Sequence, residues 1–389
     1  MNNVPNLRFP EFQGEWKKCK LEELSNKITR KNKGNAIQNV LSNSATLGLI
    51  PQNEYFDREI ANSNNTDSYY VIEYGDFVYN PRKSVSAPYG PVNIYTGNIK
   101  GIISPLYLCF SVHSILPSFL YYRFKSPAWF PYVYSHGDTG TRFDRVSIKD
   151  DVFFGMPIYM PSQKEQKKIS HLMSLLDKRI ATQNKIIEDL KKLKSAIIEI
   201  EYTPNTKTTS HIGNVIEQIS KRNKNNAIQN VLSVSNRQGF IKQSDQFENR
   251  NVASEDTSNY KIVEKNDLAF NPARINVGSI ARLTTFEKGI VSPMYICFRT
   301  QESVAPEYID FFFESKHFYC EIQKRLEGSV RQCLSFEGLC NIPFSLPSLE
   351  MQQRIGKRLF TLGQKIKTET DLLELLNKQK QYLLRQMFI

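Results

Sequence analysis

Two stretches of the chain repeat apolar residues at alternating steps of three and four. The first runs Ile169, Met173, Leu176, Ile180, Ile187, Leu190 and Ile197; the second runs Ile355, Leu359, Leu362, Ile366, Leu373, Leu376, Leu383 and Met387. This spacing predicts two amphipathic helices with a narrow coiled-coil seam, about thirty residues and ~45 Å each at 1.5 Å per residue. Polar residues break both stripes at matching places, Gln183 with Glu369 and Lys194 with Lys380. If the helices lie antiparallel, one register aligns both breaks and pairs Lys194 with Glu369 and Gln183 with Lys380. Apolar layers such as Leu176–Met387 and Ile187–Leu376 then flank them. A heptad shift would set Leu176 against Lys380 and leave a buried polar group unpaired, at roughly 1–3 kcal/mol.

Outside these stripes the apolar pattern is shorter and richer in aromatic and β-branched residues, and it occurs twice. NAIQNVLS is read at Asn35–Ser42 and again at Asn226–Ser233. Leu21, Leu24 and Ile28 match Ile212, Val215 and Ile219, and Asp76 and Asn80-Pro81 match Asp267 and Asn271-Pro272. Ser104–Phe110 then matches Ser292–Phe298 with a slightly smaller displacement, as small loop deletions would produce. The chain is a tandem duplication, and this is the first thing a repeat search should find. Each copy predicts a short helix (Leu21–Ile28, Ile212–Ile219) and a basic, Asn-rich loop. Strands follow at Tyr70–Tyr74, Asp76–Tyr79 and Gly101–Phe110, and at Tyr260–Val263, Leu268–Phe270 and Ile290–Phe298. A proline-opened helix (Pro117–Phe124, Pro306–Phe313) and a Gly-bearing loop complete the copy.

The fold class expected is therefore α+β: two duplicated α/β-mixed lobes separated by two long antiparallel coiled-coil helices with a pseudo-two-fold relation. Lobe one covers 1–160, its helix 161–202, a polar linker 203–210, lobe two 211–346 and the second helix 347–389. At 389 residues the chain has room for this.

The formal charge of +12 changes the picture, because a solvated surface does not need such an excess and a polyanion explains it. Basic residues cluster in the same loops of both copies: Arg30, Lys31 and Lys33 with Lys221, Arg222 and Lys224; Arg82 and Lys83 with Arg274; Arg142 and Arg145 with Arg331. These are the candidate DNA-contacting residues, able to neutralise phosphates or donate to base edges. Candidate chemistry is absent. The Asn-Pro pairs lack the second proline and aromatic of an adenine methyltransferase loop, and no phosphate-binding Gly-rich loop occurs. The five histidines have no ligand spacing and the six cysteines no Cys-x-x-Cys pair, so neither a metal nor a catalytic residue is expected, and the thiols read as reduced. Met1–Arg8 predicts no secretory signal, and no apolar run reaches the ~18 residues of a membrane span. A cytoplasmic location is expected.

The opener Pro5-Asn-Leu-Arg-Phe-Pro-Glu-Phe12 with Trp16 bears on identity, as do the Asn-Pro-x-Arg-like segments. So does the pattern Pro-x(4)-Gln-x(2)-Ile, found at Pro161, Gln166, Ile169 and again at Pro347, Gln352, Ile355. Together they resemble the specificity subunit of type I restriction–modification systems, over the whole chain. The second copy departs at Ala273, where the first has Arg82. The resemblance implies two target-recognition domains, each reading half of a split, asymmetric double-stranded DNA site. It further implies helices that space the lobes and dock two modification (methyltransferase) subunits, with restriction (endonuclease/translocase) subunits able to join. S-adenosylmethionine, ATP and Mg²⁺ would reside in those partners, leaving this chain without a cofactor. The competing readings are a coiled-coil protein-interaction adaptor and a fused methyltransferase or nuclease.

Overall fold

The computed structural model describes residues 3–55, 66–137, 144–203, 209–236, 238–246, 256–328 and 332–389. They form two compact units, Met1–Gln183 with Leu372–Ile389 and Asn184–Asp371. The division cuts through both long helices, so each unit holds one lobe together with part of each helix.

The central sheet of the first lobe consists of β1 (Ser25–Lys27), β2 (Phe77–Tyr79), β3 (Val92–Ile94) and β4 (Leu108–Val112), all antiparallel in the order β1-β4-β2-β3. The second lobe repeats it with β5 (Ile216–Ile219), β6 (Leu268–Phe270), β7 (Ile280–Arg282) and β8 (Ile296–Thr300), ordered β5-β8-β6-β7. Identical strand order and direction make the duplication a property of the fold. Each sheet is covered by a proline-opened helix, α1 (Pro117–Lys125) and α3 (Pro306–Phe312). Phe119 and Tyr308 occupy the same place on these helices, both fully buried. The long helices are α2 (Gln163–Glu201, 39 residues) and α4 (Leu349–Gln386, 38 residues), longer than the stripes alone predict.

Three expectations are corrected. Leu21–Ile28 and Ile212–Ile219 are not helices. A single 3₁₀ turn (Leu21–Glu23, Ile212–Asn214) leads into β1 and β5. The helix-like spacing arose because the buried residues of the turn and of the segment after it, Leu21, Leu24 and Ile28, fall three and four apart without a helix between them. Gly101–Phe110 and Ile290–Phe298 are each two strands, divided at Ser104-Pro105 and Ser292-Pro293. A proline has no amide to give a ladder, so the run cannot continue through it.

The third correction is the polar register. Lys194 donates to Glu314 of the second lobe at 2.6 Å and lies 5.1 Å from the Phe311 ring centroid. Glu369 pairs with Lys365 one turn earlier, at 2.5 Å. Lys380 pairs with Asp177 at 2.5 Å, not with Gln183. The Lys194–Glu369 and Gln183–Lys380 pairs do not form, because a lobe carboxylate and a flanking helix carboxylate satisfy the two lysines instead.

The apolar stripes also do more than face a helix. Ile169 and Met173 of α2, with Leu384, Met387 and Phe388, belong to the aromatic core of the first lobe. Ile197, Ile198 and Tyr202, with Ile355 and Leu359 of α4, belong to that of the second. Within the first unit, Leu7 N–H donates to the Gln386 carbonyl at 2.9 Å while its neighbour Arg8 holds Glu165 through two bonds of 2.8 Å. Trp16 adds an indole N–H to Glu165 at 3.3 Å. The N-terminal strap thus ties the start of α2 to the end of α4. With Asp177–Lys380 further along, the two segments run antiparallel in this unit.

Candidate nucleic-acid interface

The strings that repeat between the lobes turn out to build the framework. Asn32 and Asn223, each 2% exposed, hold the NAIQNVLS loop from within. Asn32 accepts from Ile37 N–H at 2.9 Å and donates to its carbonyl at 3.0 Å; Asn223 does the same to Ile228 at 3.1 and 3.0 Å. Asn35 and Asn226, at φ 52 and 49, take the left-handed conformation that asparagine tolerates. Gln166 accepts from Leu116 N–H at 2.9 Å and donates to the Pro161 carbonyl at 2.9 Å. Gln352 accepts from Ala305 N–H at 3.0 Å and donates to Pro347 at 2.8 Å. The glutamine of the Pro-x(4)-Gln-x(2)-Ile pattern therefore caps the free amide at the start of α1 or α3 from the first turn of a long helix. Asn80 and Asn271 accept from the amides of Arg82 and Ala273 at 3.0 and 3.1 Å, closing the Asn-Pro turn in both lobes.

Beside these turns each lobe has an open groove. In the first lobe it comprises adjoining hollows of about 450 and 280 Å³, both lined by Pro81, Leu106, Tyr107 and Arg145. In the second it is a hollow of about 360 Å³ lined by Asn271, Arg274, Met294 and Tyr295. The two are the same place in the repeat: Ser42, Asn80, Leu106 and Tyr107 line the first where Ser233, Asn271, Met294 and Tyr295 line the second.

Several side chains at these grooves differ between the lobes. Val146 N–H donates to the Pro81 carbonyl at 2.9 Å and Leu334 N–H to that of Pro272 at 3.1 Å, which places Arg145 opposite Cys333 in the repeat. Asn43 corresponds to Val234 and Arg82 to Ala273. Arg145 also shares an isolated antiparallel bridge with Arg82, so two guanidinium side chains rise from neighbouring backbone. Asp144 lies 3.9 Å from Arg82, with both side chains more than half exposed. A screened contact of that kind contributes little and leaves the positive charge available. At the rim Lys27 pairs with Asp150 at 2.5 Å.

The other basic candidates divide into occupied and unoccupied groups. Arg30 donates to Asp76 at 2.8 Å and to the Val71 carbonyl at 3.0 Å, a framework role. Arg222 donates to Asn259 at 2.9 Å. Lys31, Lys33, Lys221, Lys224 and Arg274 are exposed, and Lys83 and Arg145 are half-buried. Arg142 and Arg331 lie outside the described residues. Among the described residues no group of histidine, cysteine and carboxylate side chains could hold a metal ion, and no helix is long and apolar enough to cross a membrane. Leu106 and Met294 were missed as groove residues. Their signal was a substitution inside the otherwise matched Ser-Pro-x-Tyr turn.

Comparisons with known proteins agree with this arrangement. Residues 197–378 match the family described as Type I restriction modification DNA specificity domain. A putative type I restriction enzyme MjaX specificity subunit from Methanocaldococcus jannaschii is 24% identical over 326 residues, spanning 76% of this chain and 71% of that protein. The S subunit of a type I restriction–modification system from M. genitalium superposes with a TM-score of 0.58 at 15% identity, over 99% of both chains. A chain from a structure concerned with complex assembly and conformational transition of the type I R-M system gives 0.56 at 14% identity, over 95% of this chain and 96% of that one. At these identities the two superpositions speak for the fold alone.

Proposed function

We propose that the chain is a specificity subunit of a type I restriction–modification system and that it reads a bipartite, asymmetric DNA target with one lobe per half-site. The observation that carries this reading is the pair of equivalent grooves with unlike linings. Two copies of one fold offer DNA the same surface twice, while Arg145 against Cys333 and Arg82 against Ala273 give the copies different chemistry. A non-palindromic target is what such a pair would select.

The long helices act as spacer and docking surface. An uncovered heptad stripe on α2, with Ile186, Leu193 and Ile200 at 38, 50 and 74% exposure, supports the docking of partner helices. Two modification subunits would dock there, with restriction subunits joining the assembly. Those partners would carry S-adenosylmethionine, ATP and Mg²⁺ and perform methylation and cleavage, while this chain, in the cytoplasm, supplies recognition.

The test is the salt dependence of DNA binding by the assembled complex. Each phosphate contact contributes about one unit to the slope of log affinity against log salt. Replacing Arg82 and Arg145 with Ala should flatten the slope by up to about two units by this rule, whereas Arg30→Ala should leave it nearly unchanged. An unaltered slope in the Arg82/Arg145 variant would remove the groove from the interface.

A further inference from the structure

We infer that Leu106 and Met294, at the tips of the two Ser-Pro-x-Tyr turns, are base-contacting residues that help set the specificity of the first and second half-site respectively. This rests on the DNA-reading function proposed above and names residues within it.

A single exposed apolar side chain is ordinary. These two are not independent cases. They occupy the same position of the repeat, with 68% of Leu106 and 55% of Met294 exposed to solvent. Both turns are fixed from below. Tyr107 N–H donates to the Ser104 carbonyl and Tyr295 N–H to that of Ser292, each at 3.1 Å, and the strands that follow run straight into the buried core. A proline precedes each tip and limits its backbone further. The result is an apolar group held out on a rigid support, with little backbone entropy left to lose on contact.

The surroundings identify the occupant. Leu106 lines the groove that Arg82 and Arg145 also line, and Met294 the one that Arg274 lines. A protein partner would favour an apolar surround, whereas an apolar tip flanked by guanidinium groups matches DNA. There the arginines meet phosphate or guanine, and the apolar side chain meets a base edge, the thymine methyl being the apolar group of the major groove. The residue differs between the lobes although its flanks match, as expected of a position that distinguishes two half-sites.

The experiment maps methylated positions genome-wide in cells carrying the full chain with its modification subunits. Leu106→Ala should relax or change base preference in one half-site only, with discrimination at the affected position falling on the order of tenfold. Met294→Ala should do the same in the other half-site only. Because both side chains are exposed, the melting temperature should hold. An unchanged target in both variants would overturn the inference. If exchange of residues 1–160 for another specificity subunit's first lobe still redirected one half-site, the reading function would stand without these two residues. Loss of modification-subunit binding with an unchanged target would also overturn it, marking the tips as protein contacts.

Discussion

The Arg30 guanidinium donates to the Asp76 carboxylate at 2.8 Å across the edge of the first sheet. The equivalent carboxylate, Asp267, is held by a different residue: Arg299 on β8 reaches it at 3.0 and 3.1 Å. Both carboxylates also accept a backbone amide, from Glu73 at 2.8 Å and Glu264 at 2.7 Å. Burial pushes both carboxyls above the usual aspartate value, against the pull of those amides and arginines. The fold thus keeps a buried turn-closing aspartate and lets its cation come either from the segment after β1 or from β8.

A consequence is that equivalent positions are not equivalent in effect. Arg30→Ala should destabilise the first lobe by ~1–3 kcal/mol, the usual result of stranding a buried acceptor. Lys221→Ala, at the matching position, should change stability little, while Arg299→Ala should reproduce the loss. Thermal melts of the three variants check this, and equal losses for Arg30 and Lys221 would contradict it.

Arg123 offers the opposite case. It is 2% exposed on α1, where the second lobe has Phe312, and its Nε and Nη1 meet no hydrogen-bond acceptor among the described residues. Burial pulls its guanidinium down to about 9. Replacing a buried, poorly paired charge with an apolar group of similar volume is often stabilising, by about 1–4 kcal/mol. Arg123→Met should therefore raise the melting temperature of the first lobe; a lower one would show that the charge is satisfied in solution.

Asp310 predicts a pH dependence. It accepts from Arg282 at 3.2 Å, yet burial raises its carboxyl to about 6, the nearby arginine opposing the shift. The unfolded value is about 3.9, so the folded state holds this proton at a higher pH than the unfolded state does. Stability from this group accordingly rises as pH falls from 7 through about 6 toward 5. The melting temperature of the wild type, minus that of Asp310→Asn, should increase over that window. A flat or falling difference would contradict the assignment.

Much of this fold was legible in the sequence, for reasons the structure now supplies. The repeated motifs that stood out, Gln166 and Gln352 and the NAIQNVLS loops, are those whose hydrogen bonds hold the framework, so a duplicated fold had to repeat them, while the Arg8–Trp16 opener occurs once and holds Glu165. The grooves were only half legible. Their arginines are visible as charge, but which of them are committed internally depends on long-range partners such as Asp76 for Arg30, and no local pattern encodes that. The polar breaks failed as a guide to register because Lys194 is satisfied by Glu314, a residue of the lobe that a helix-only comparison leaves out. The same limit applies to Leu21–Ile28, where burial of a turn and of the segment after it mimicked a helical period.

The division of labour between framework and groove is tested most directly by exchanging residues 1–160 for the first lobe of another specificity subunit and mapping methylated sites genome-wide in the presence of the modification subunits. The lobes have separate cores and matching connections to the helices, so the account predicts that one half-site changes to that of the donor while the other half-site is retained. A swap that alters both half-sites together, or leaves both unchanged, would contradict it.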